Sequence, residues 1–179
     1  YGNNLKEKKI DQISKKICSL FQNQKTSIKN LWSEKDIFLI TYADSIKKKN
    51  VKNLNSLYDF LNRYCKEFSY IHVLPFFPYT SDDGFAVKDF KQVNSEHGDW
   101  KDFKKISLCF KTMVDLVINH CSSENKLFID FLNGSSIMSD FFIVSDKKFK
   151  QLEKIVRPRS SEISKQITSN NKTKYVWCT

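Results

Sequence analysis

The 179 residues are enough for one domain with a sizeable core or for a piece of a larger one, and no stretch resembles a transmembrane span or a secretory leader, so we expect a cytoplasmic protein without a membrane partner. The net charge of +10 comes almost entirely from Lys, and because Arg rather than Lys reads phosphates and base edges in bidentate fashion, we expect no nucleic-acid partner. The 5 Cys are scattered without a CxxC pair, which argues against a disulfide framework and a zinc site.

The first predicted element is a helix. Residues 5–21 carry Ile, Leu and Phe side chains at helical spacing with Lys between them, which is typical of an amphipathic helix on the outside of a domain. A polar connector follows, and we assign residues 1–35 to an N-terminal helical extension.

Short apolar runs then alternate with helical patterns. Residues 36–44 (DIFLITYAD), 70–78 (YIHVLPFFP) and 113–120 (MVDLVINH) are predicted to be buried strands. Residues 53–65 place Leu side chains on one helical face, and Asp99 is the expected N-cap of a second helix. This alternation predicts parallel strands joined by right-handed crossovers, which is the α/β class.

The alternation stops after His120, and residues 121–179 are mixed and polar with aromatic clusters. Three parallel strands neither close a barrel nor cover both faces of a sheet, so we expect an open edge and an uncovered apolar face. The chain is therefore predicted to be the N-terminal part of a larger α/β protein.

Polar residues gather where each predicted strand ends. Tyr42 and Asp44 end the first, Asp82 and Asp83 lie in the turn-rich loop after the second, and Asn119 and His120 end the third. Because parallel α/β folds bind ligands at the C-terminal ends of their strands, these positions predict one site.

Each candidate also has a structural interpretation. A strand-end His such as His120 is more often structural than catalytic, and His72, in the middle of a strand, is expected to be a satisfied core histidine. His97 is expected in a surface loop, Phe85 also suits a core position, and the Asp side chains of SDDGF also suit a turn.

Four motifs carry a resemblance. ITYADSI, IHVLPFFPYTSDDGF, HGDWKDF and MVDLVINH, in this order and spacing, resemble the start of the sucrose phosphorylase group of the α-amylase superfamily, glycoside hydrolase family 13. IVRPRSS and KYVW resemble the group's insert after the third strand. The resemblance implies a (β/α)8 TIM barrel, with residues 36–120 as its first three βα units and residues 121–179 as the start of an inserted B domain.

The family chemistry implied by this resemblance is retaining glucosyl transfer. A carboxylate attacks the anomeric carbon, and phosphate then releases glucose 1-phosphate from the covalent glucosyl-enzyme. A small glucoside and inorganic phosphate are the implied partners, with no cofactor. The family's nucleophile, general acid and stabilising Asp belong to later strands, so the chain holds no catalytic residue and is expected to be inactive alone. The adjacent Asp82 and Asp83 do not replace a retaining pair, which faces one bond across roughly 5 Å.

The resemblance also assigns binding roles. His120 resembles the His that hydrogen-bonds sugar hydroxyls, Asp82 the Asp that grips a hydroxyl on the far side of the ring, and Phe85 the aromatic platform under the sugar. Arg159, with Arg157 beside it, resembles the loop Arg near the acceptor and phosphate site.

Other residues at the site are implied to be structural. Asp115 and Asn119 belong to the family's first conserved region, and Tyr42 and Asp44 border the same rim. In amylases the Asn that matches Asn119 often binds calcium, whereas the phosphorylase group generally lacks that metal, so we expect none.

Three alternatives stay open. Within the family, an α-glucosidase or transglucosidase shares the same machinery. From other classes, a non-catalytic carbohydrate-binding remnant and a basic nucleic-acid-binding protein remain. The acceptor, whether fructose, fructose phosphate, glycerate or glycerol, is not fixed by these residues.

Overall fold

A computed structural model of the protein describes residues 7–21, 32–156, 162–169 and 171–178. The chain divides into two compact units, residues 1–35 and 36–179. In the first unit, helix α1 spans Glu7–Phe21, as its periodicity predicts, and its apolar residues Ile13, Ile17 and Leu20 are exposed.

The second unit begins with a three-stranded parallel sheet. Strands β1 (Phe38–Thr41), β2 (Tyr70–Val73) and β3 (Lys111–Val114) lie in that order, and helices α2 (Asn53–Tyr64) and α3 (Trp100–Cys109) connect them. The prediction of three parallel strands with helical crossovers is confirmed.

The register divides the strands into two faces, because successive side chains point to opposite sides. The helix-facing side of the sheet carries Leu39, Thr41, Ile71, Val73, Thr112 and Val114. The inner face carries Phe38, Ile40, Tyr70, His72, Lys111 and Met113. On the helix-facing side, Ile71 and Val73 are fully buried in one core with Leu54, Leu57, Leu61 and Ile106 of the helices.

The inner face corrects one prediction. β1 and β3 were expected to be buried, yet Ile40 is 62% exposed and Met113 44% exposed. The physical reason is that a strand's burial on both faces needs a second layer, and within the described residues none covers this face. β3 also lies earlier than predicted: its pairing with β2 ends at Val114, and the chain continues from Asp115 without ladder partners.

Helix α3 begins as the sequence predicts. Asp99 accepts hydrogen bonds from the backbone N–H groups of Lys101 (2.7 Å) and Asp102 (3.1 Å), and the Asp102 carboxylate accepts the N–H of Asp99 (3.2 Å). This reciprocal capping box satisfies donors that a helix leaves free at its start, typically worth about 1 kcal/mol.

Residues beyond 120 form a second, smaller assembly. Helix α4 (Lys126–Leu132) precedes an antiparallel sheet of β4 (Val144–Ser145), β5 (Ser164–Ser169) and β6 (Lys172–Trp177), with β6 in the middle. Phe128 and Phe131 of α4 and Val176 of β6 form its buried core. The change from a parallel to an antiparallel sheet accounts for the break in the sequence pattern after His120.

Candidate functional site

A concave pocket lies where the chain leaves β1 and β2. Its volume is about 180 Å³. Its lining consists of Tyr42, Ala43, Asp44, Pro75, Tyr79, Asp83 and His97. The structure thus brings together Tyr42 and Asp44, which the sequence placed at the rim. Asp82, Phe85 and His120 are not among the residues that line this pocket.

A tight turn carries Asp83 at the pocket. Asp82, Asp83 and Gly84 form a short 3₁₀ turn with positive φ values of 62°, 48° and 103°. Asp tolerates this left-handed region better than most residues, and Gly84 is required because a Cβ there would collide with the carbonyl oxygen of Pro75. Both Asp residues are exposed, and Asp83 is the one that lines the pocket.

His97 was expected on the surface, and this prediction is wrong: only 6% of the residue is exposed. Its backbone carbonyl accepts the N–H of Leu54 (2.9 Å) at the start of α2, and its Nδ1 accepts a hydrogen bond from Asn53 Nδ2 (3.0 Å). The ring proton therefore lies on Nε2. Burial lowers the pKa of His97, and the opposing effect of Asp44 is smaller, so the ring is neutral near pH 7.

His72 and Asp115, two polar residues of the predicted strands, are hydrogen-bond partners. His72 Nε2 lies 2.9 Å from Asp115 Oδ2, and the two side chains are 15% and 27% exposed. His72 pairs with Met113 in the ladder, so Asp115 is its diagonal neighbour on the inner face. The prediction that His72 is satisfied is confirmed, and its partner is the Asp115 carboxylate.

The segment that carries Asn119 and His120 lies against the loop after β2. Ser122 follows His120 by two residues, and its backbone N–H donates to the carbonyl of Val87 (3.0 Å). Its hydroxyl lies 2.9 Å from that of Thr80. Asn119 is exposed and His120 half-buried. Thr80 and Val87 flank the SDDGF turn, so the two segments predicted to share a subsite are neighbours.

The remaining candidates have different surroundings. Phe85 is half-buried and packs against the core of the parallel sheet. The Nδ1 atom of His120 is buried without a hydrogen-bond partner among the described residues. Arg157 and Arg159 lie outside the described residues. The roles assigned to all of these residues stay predictions.

The described residues carry two further findings, one on metals and one on membranes. No group of three or more His, Cys, Asp or Glu side chains there is arranged to hold a metal ion. Of the helices in the same part of the chain, none combines the length and apolar character that crossing a membrane requires.

Two residues that the structure brings forward are absent from the predicted site. His97 lines the pocket, and Asn125 is almost fully buried beside the segment after β3. Asp83, which also lines the pocket, was among the polar residues predicted at the strand ends. A signal existed for Asn125, because it directly precedes the apolar helical pattern KLFIDFL, where an N-cap is expected. No local signal existed for the burial of the His97 ring, whose side-chain partner Asn53 lies 44 residues away in the sequence.

Known proteins resemble this chain in sequence and in structure. The family described as "Alpha amylase, catalytic domain" matches residues 38–175. A glucosylglycerate phosphorylase of Allomeiothermus silvanus is 42% identical over 164 residues, which is 91% of this chain and 29% of the relative. A sucrose phosphorylase of Streptococcus mutans is 40% identical over 111 residues, which is 61% of this chain and 22% of the relative.

Among solved structures, sucrose 6F-phosphate phosphorylase from Thermoanaerobacter thermosaccharolyticum superposes with a TM-score of 0.69 at 29% identity. The superposition covers 84% of this chain and 32% of that protein. The chain thus spans about a quarter to a third of the length of these relatives. The protein belongs to the α-amylase superfamily, in the sucrose phosphorylase group of glycoside hydrolase family 13, and its fold is part of a TIM barrel.

Proposed function

We propose that this chain is the N-terminal part of a retaining phosphorylase that transfers glucose from a small glucoside to inorganic phosphate. The observation that carries this proposal is the 42% identity to a glucosylglycerate phosphorylase across 91% of the chain. A cytoplasmic location fits, because the cysteines that the structure describes are free thiols.

The domain plan follows from the same resemblance. Residues 36–120 are proposed as the first three βα units of the barrel, which the parallel order of β1, β2 and β3 supports. Residues 121–179 are proposed as the start of the inserted B domain, which the separate antiparallel sheet of β4, β5 and β6 supports.

In this proposal the chain binds sugar while later strands break the bond. His120 and Asp82 hydrogen-bond hydroxyls of one glucose ring, and Phe85 supports a face of that ring. The neighbouring positions of the two segments, joined through Ser122 and Val87, support this arrangement. A buried Nδ1 without a partner in the described residues also fits a His120 whose surroundings are completed elsewhere in the whole protein.

The chemistry requires groups beyond this chain. A carboxylate attacks the anomeric carbon while an acid protonates the departing glycosidic oxygen, and a phosphate oxygen then attacks the same carbon and frees the carboxylate. Arg157 and Arg159 are proposed to hold the phosphate dianion through charge-assisted hydrogen bonds. The reaction as proposed uses no cofactor and no metal.

Glucosylglycerate is the substrate that we propose. Three glucosylglycerate phosphorylases are 36% to 42% identical over 80% to 91% of the chain, whereas a glucosylglycerol phosphorylase and a sucrose phosphorylase are 34% and 31% identical over 79% and 78%. Sucrose, sucrose 6-phosphate and glucosylglycerol are the competing glucosides. A hydrolase or transglucosidase is the second candidate, since only the competition at the acceptor site separates it from a phosphorylase.

The test uses the whole protein with each glucoside and phosphate, with glucose 1-phosphate as the measured product. Glucose 1-phosphate is expected with glucosylglycerate, and the 179-residue chain is expected to give none. His120→Ala should lower kcat/KM by roughly 10²–10³, the scale for a hydrogen bond that strengthens in the transition state. Free glucose as the product would indicate the hydrolase, and sugar binding without turnover would indicate the carbohydrate-binding remnant.

A further inference from the structure

The segment between β3 and α4 is fixed without a β-ladder. The pairing of β2 with β3 ends at Val73 and Val114, so from Asp115 onward the backbone that carries Asn119 and His120 has no strand partner in the described part of the chain. A segment of this kind needs other contacts to hold one position, since fixing each residue's backbone costs roughly 1–2 kcal/mol in conformational entropy.

Side-chain contacts anchor this segment at both ends. At its start, Asp115 is bound to His72 of β2 at 2.9 Å. At its far end, Ser122 and Asn125 are 3% and 2% exposed, which is unusual for such polar residues. Burial of polar groups is costly unless each is hydrogen-bonded, so the partners of these two side chains are informative.

Besides local contacts with Glu124 and Leu127, the partners at the far end belong to the loop after β2. Asn125 Nδ2 donates to the carbonyl of Val87 (3.2 Å), which also accepts the backbone N–H of Ser122 (3.0 Å). The hydroxyls of Ser122 and Thr80 are 2.9 Å apart. At the surface, Lys88 pairs with Glu124 at 2.6 Å, an exposed contact of small expected energy.

These contacts hold the base of the loop that carries Asp82 and Phe85. Tyr79 and Val87 form a β-bridge, and the N–H of Thr80 donates to the carbonyl of Ala86 (3.1 Å), so the loop closes at this point. Any shift of this loop base relative to residues 122–125 therefore changes the distance from His120 to Asp82 and Phe85.

We propose that Thr80, Ser122 and Asn125 are positioning residues that fix His120 relative to the Asp82–Phe85 loop. This inference rests on the proposed function, because it concerns the geometry of the sugar subsite. A displacement of about 1 Å in a group that orients substrate can lower the rate by as much as ~10²-fold.

Two variants remove single contacts. Asn125 also caps α4, since its Oδ1 accepts the N–H of Leu127 (2.9 Å), and Asn125→Asp keeps that acceptor but loses the donor to Val87. Thr80→Val keeps the shape and loses only the hydroxyl that meets Ser122. Asn133→Asp, at the exposed C-terminal end of the same helix, is the control for added charge.

The whole protein is assayed for phosphorolysis of the glucoside that it turns over. Asn125→Asp should lower kcat/KM by about 10- to 100-fold and Thr80→Val by several-fold, while Asn133→Asp should stay within about twofold. In a His120→Ala background, both losses should shrink to less than about twofold, because the contacts act through His120. Losses that persist undiminished in that background, or unchanged kcat/KM in the single variants, would overturn the inference.

A second readout separates this inference from the proposed function. If the whole protein shows no phosphorolysis, or His120→Ala changes nothing, the proposed function fails, and hydrogen exchange of the Ser122 amide, which donates to the Val87 carbonyl, decides the positioning role. Exchange should be at least about tenfold faster in Asn125→Asp than in Asn133→Asp. Equal exchange in the two variants would overturn the anchoring itself.

Discussion

The two faces of the parallel sheet are built from similar residues and have opposite environments. On the helix-facing side, Ile71 is fully buried under α2 and α3, whereas Ile40, on the inner face of the neighbouring strand, is 62% exposed. The inner face also carries the His72–Asp115 pair. A complete (β/α)8 barrel covers its inner face with the side chains of all its strands. Residues 36–120 therefore form the helix-facing part of the core by themselves, whereas the inner face needs further strands.

The largest expected effect lies on the helix-facing side. Ile71→Ala removes a fully buried side chain, and we expect the free energy of local opening to fall by about 2–5 kcal/mol. The measurement is hydrogen exchange of the β2 amides in the whole protein. A loss below about 1 kcal/mol would contradict the assignment of Ile71 to a close-packed core.

Removing the polar pair on the inner face has the next largest expected effect on stability. Asp115→Ala leaves His72 without the partner found in this structure, at a cost of about 1–3 kcal/mol. Asp115→Asn is the matched control, since its amide oxygen can still accept a hydrogen bond from His72. Denaturant unfolding of the whole protein compares them, and an equal loss in both variants would mean that the carboxylate charge, rather than the hydrogen bond, matters.

The buried His97, unlike the half-exposed inner face, is expected to make the stability of the protein depend on pH. Burial lowers the native pKa of His97 from its ordinary value of 6.5, so the unfolded state binds more protons and stability falls as pH drops below 6.5 towards the lowered pKa. His97→Gln should remove this part of the pH dependence. Unfolding midpoints measured from about pH 7.5 to 5 test it, and an unchanged slope in the variant would argue against a buried, neutral His97.

The smallest effect on stability is expected beyond the end of β3. Leu116 and Ile118 are 77% and 79% exposed, so replacing both by Ser should change the unfolding free energy of the 179-residue chain by about 0.5 kcal/mol or less. The same change should reduce self-association in sedimentation, because an exposed apolar edge attracts other chains. Leu108→Ser, at an exposed position on α3, is the control and should leave self-association unchanged.

What the sequence predicts well is local, and what it misses depends on distant partners. Asp99 is predictable as a cap because the backbone groups that it binds lie within three residues. The burial of His97 depends on Asn53 and Leu54, and the exposure of Ile40 depends on whether other elements cover the sheet. Periodicity locates a strand, but it does not report what packs against either face.

The same limit applies to the candidate site. The polar ends of the three strands predict where the site lies, and the resemblance names Asp82 rather than Asp83 for the sugar. Which of two adjacent carboxylates lines the pocket depends on the path of the turn in three dimensions, and in this structure it is Asp83. The anchoring by Ser122 and Asn125 is equally invisible in sequence, since each side chain is an ordinary turn or cap residue until its distant acceptor is known.

The central claim is that the loops after β2 and β3 share one glucose ring. A crystal structure of the whole protein with bound glucose tests it most directly. The account predicts that His120 and Asp82 lie within hydrogen-bond distance of hydroxyls on the same ring, with the Phe85 ring against one sugar face. Glucose bound in the pocket of Tyr42, Asp83 and His97 instead, without contact to His120, would contradict it.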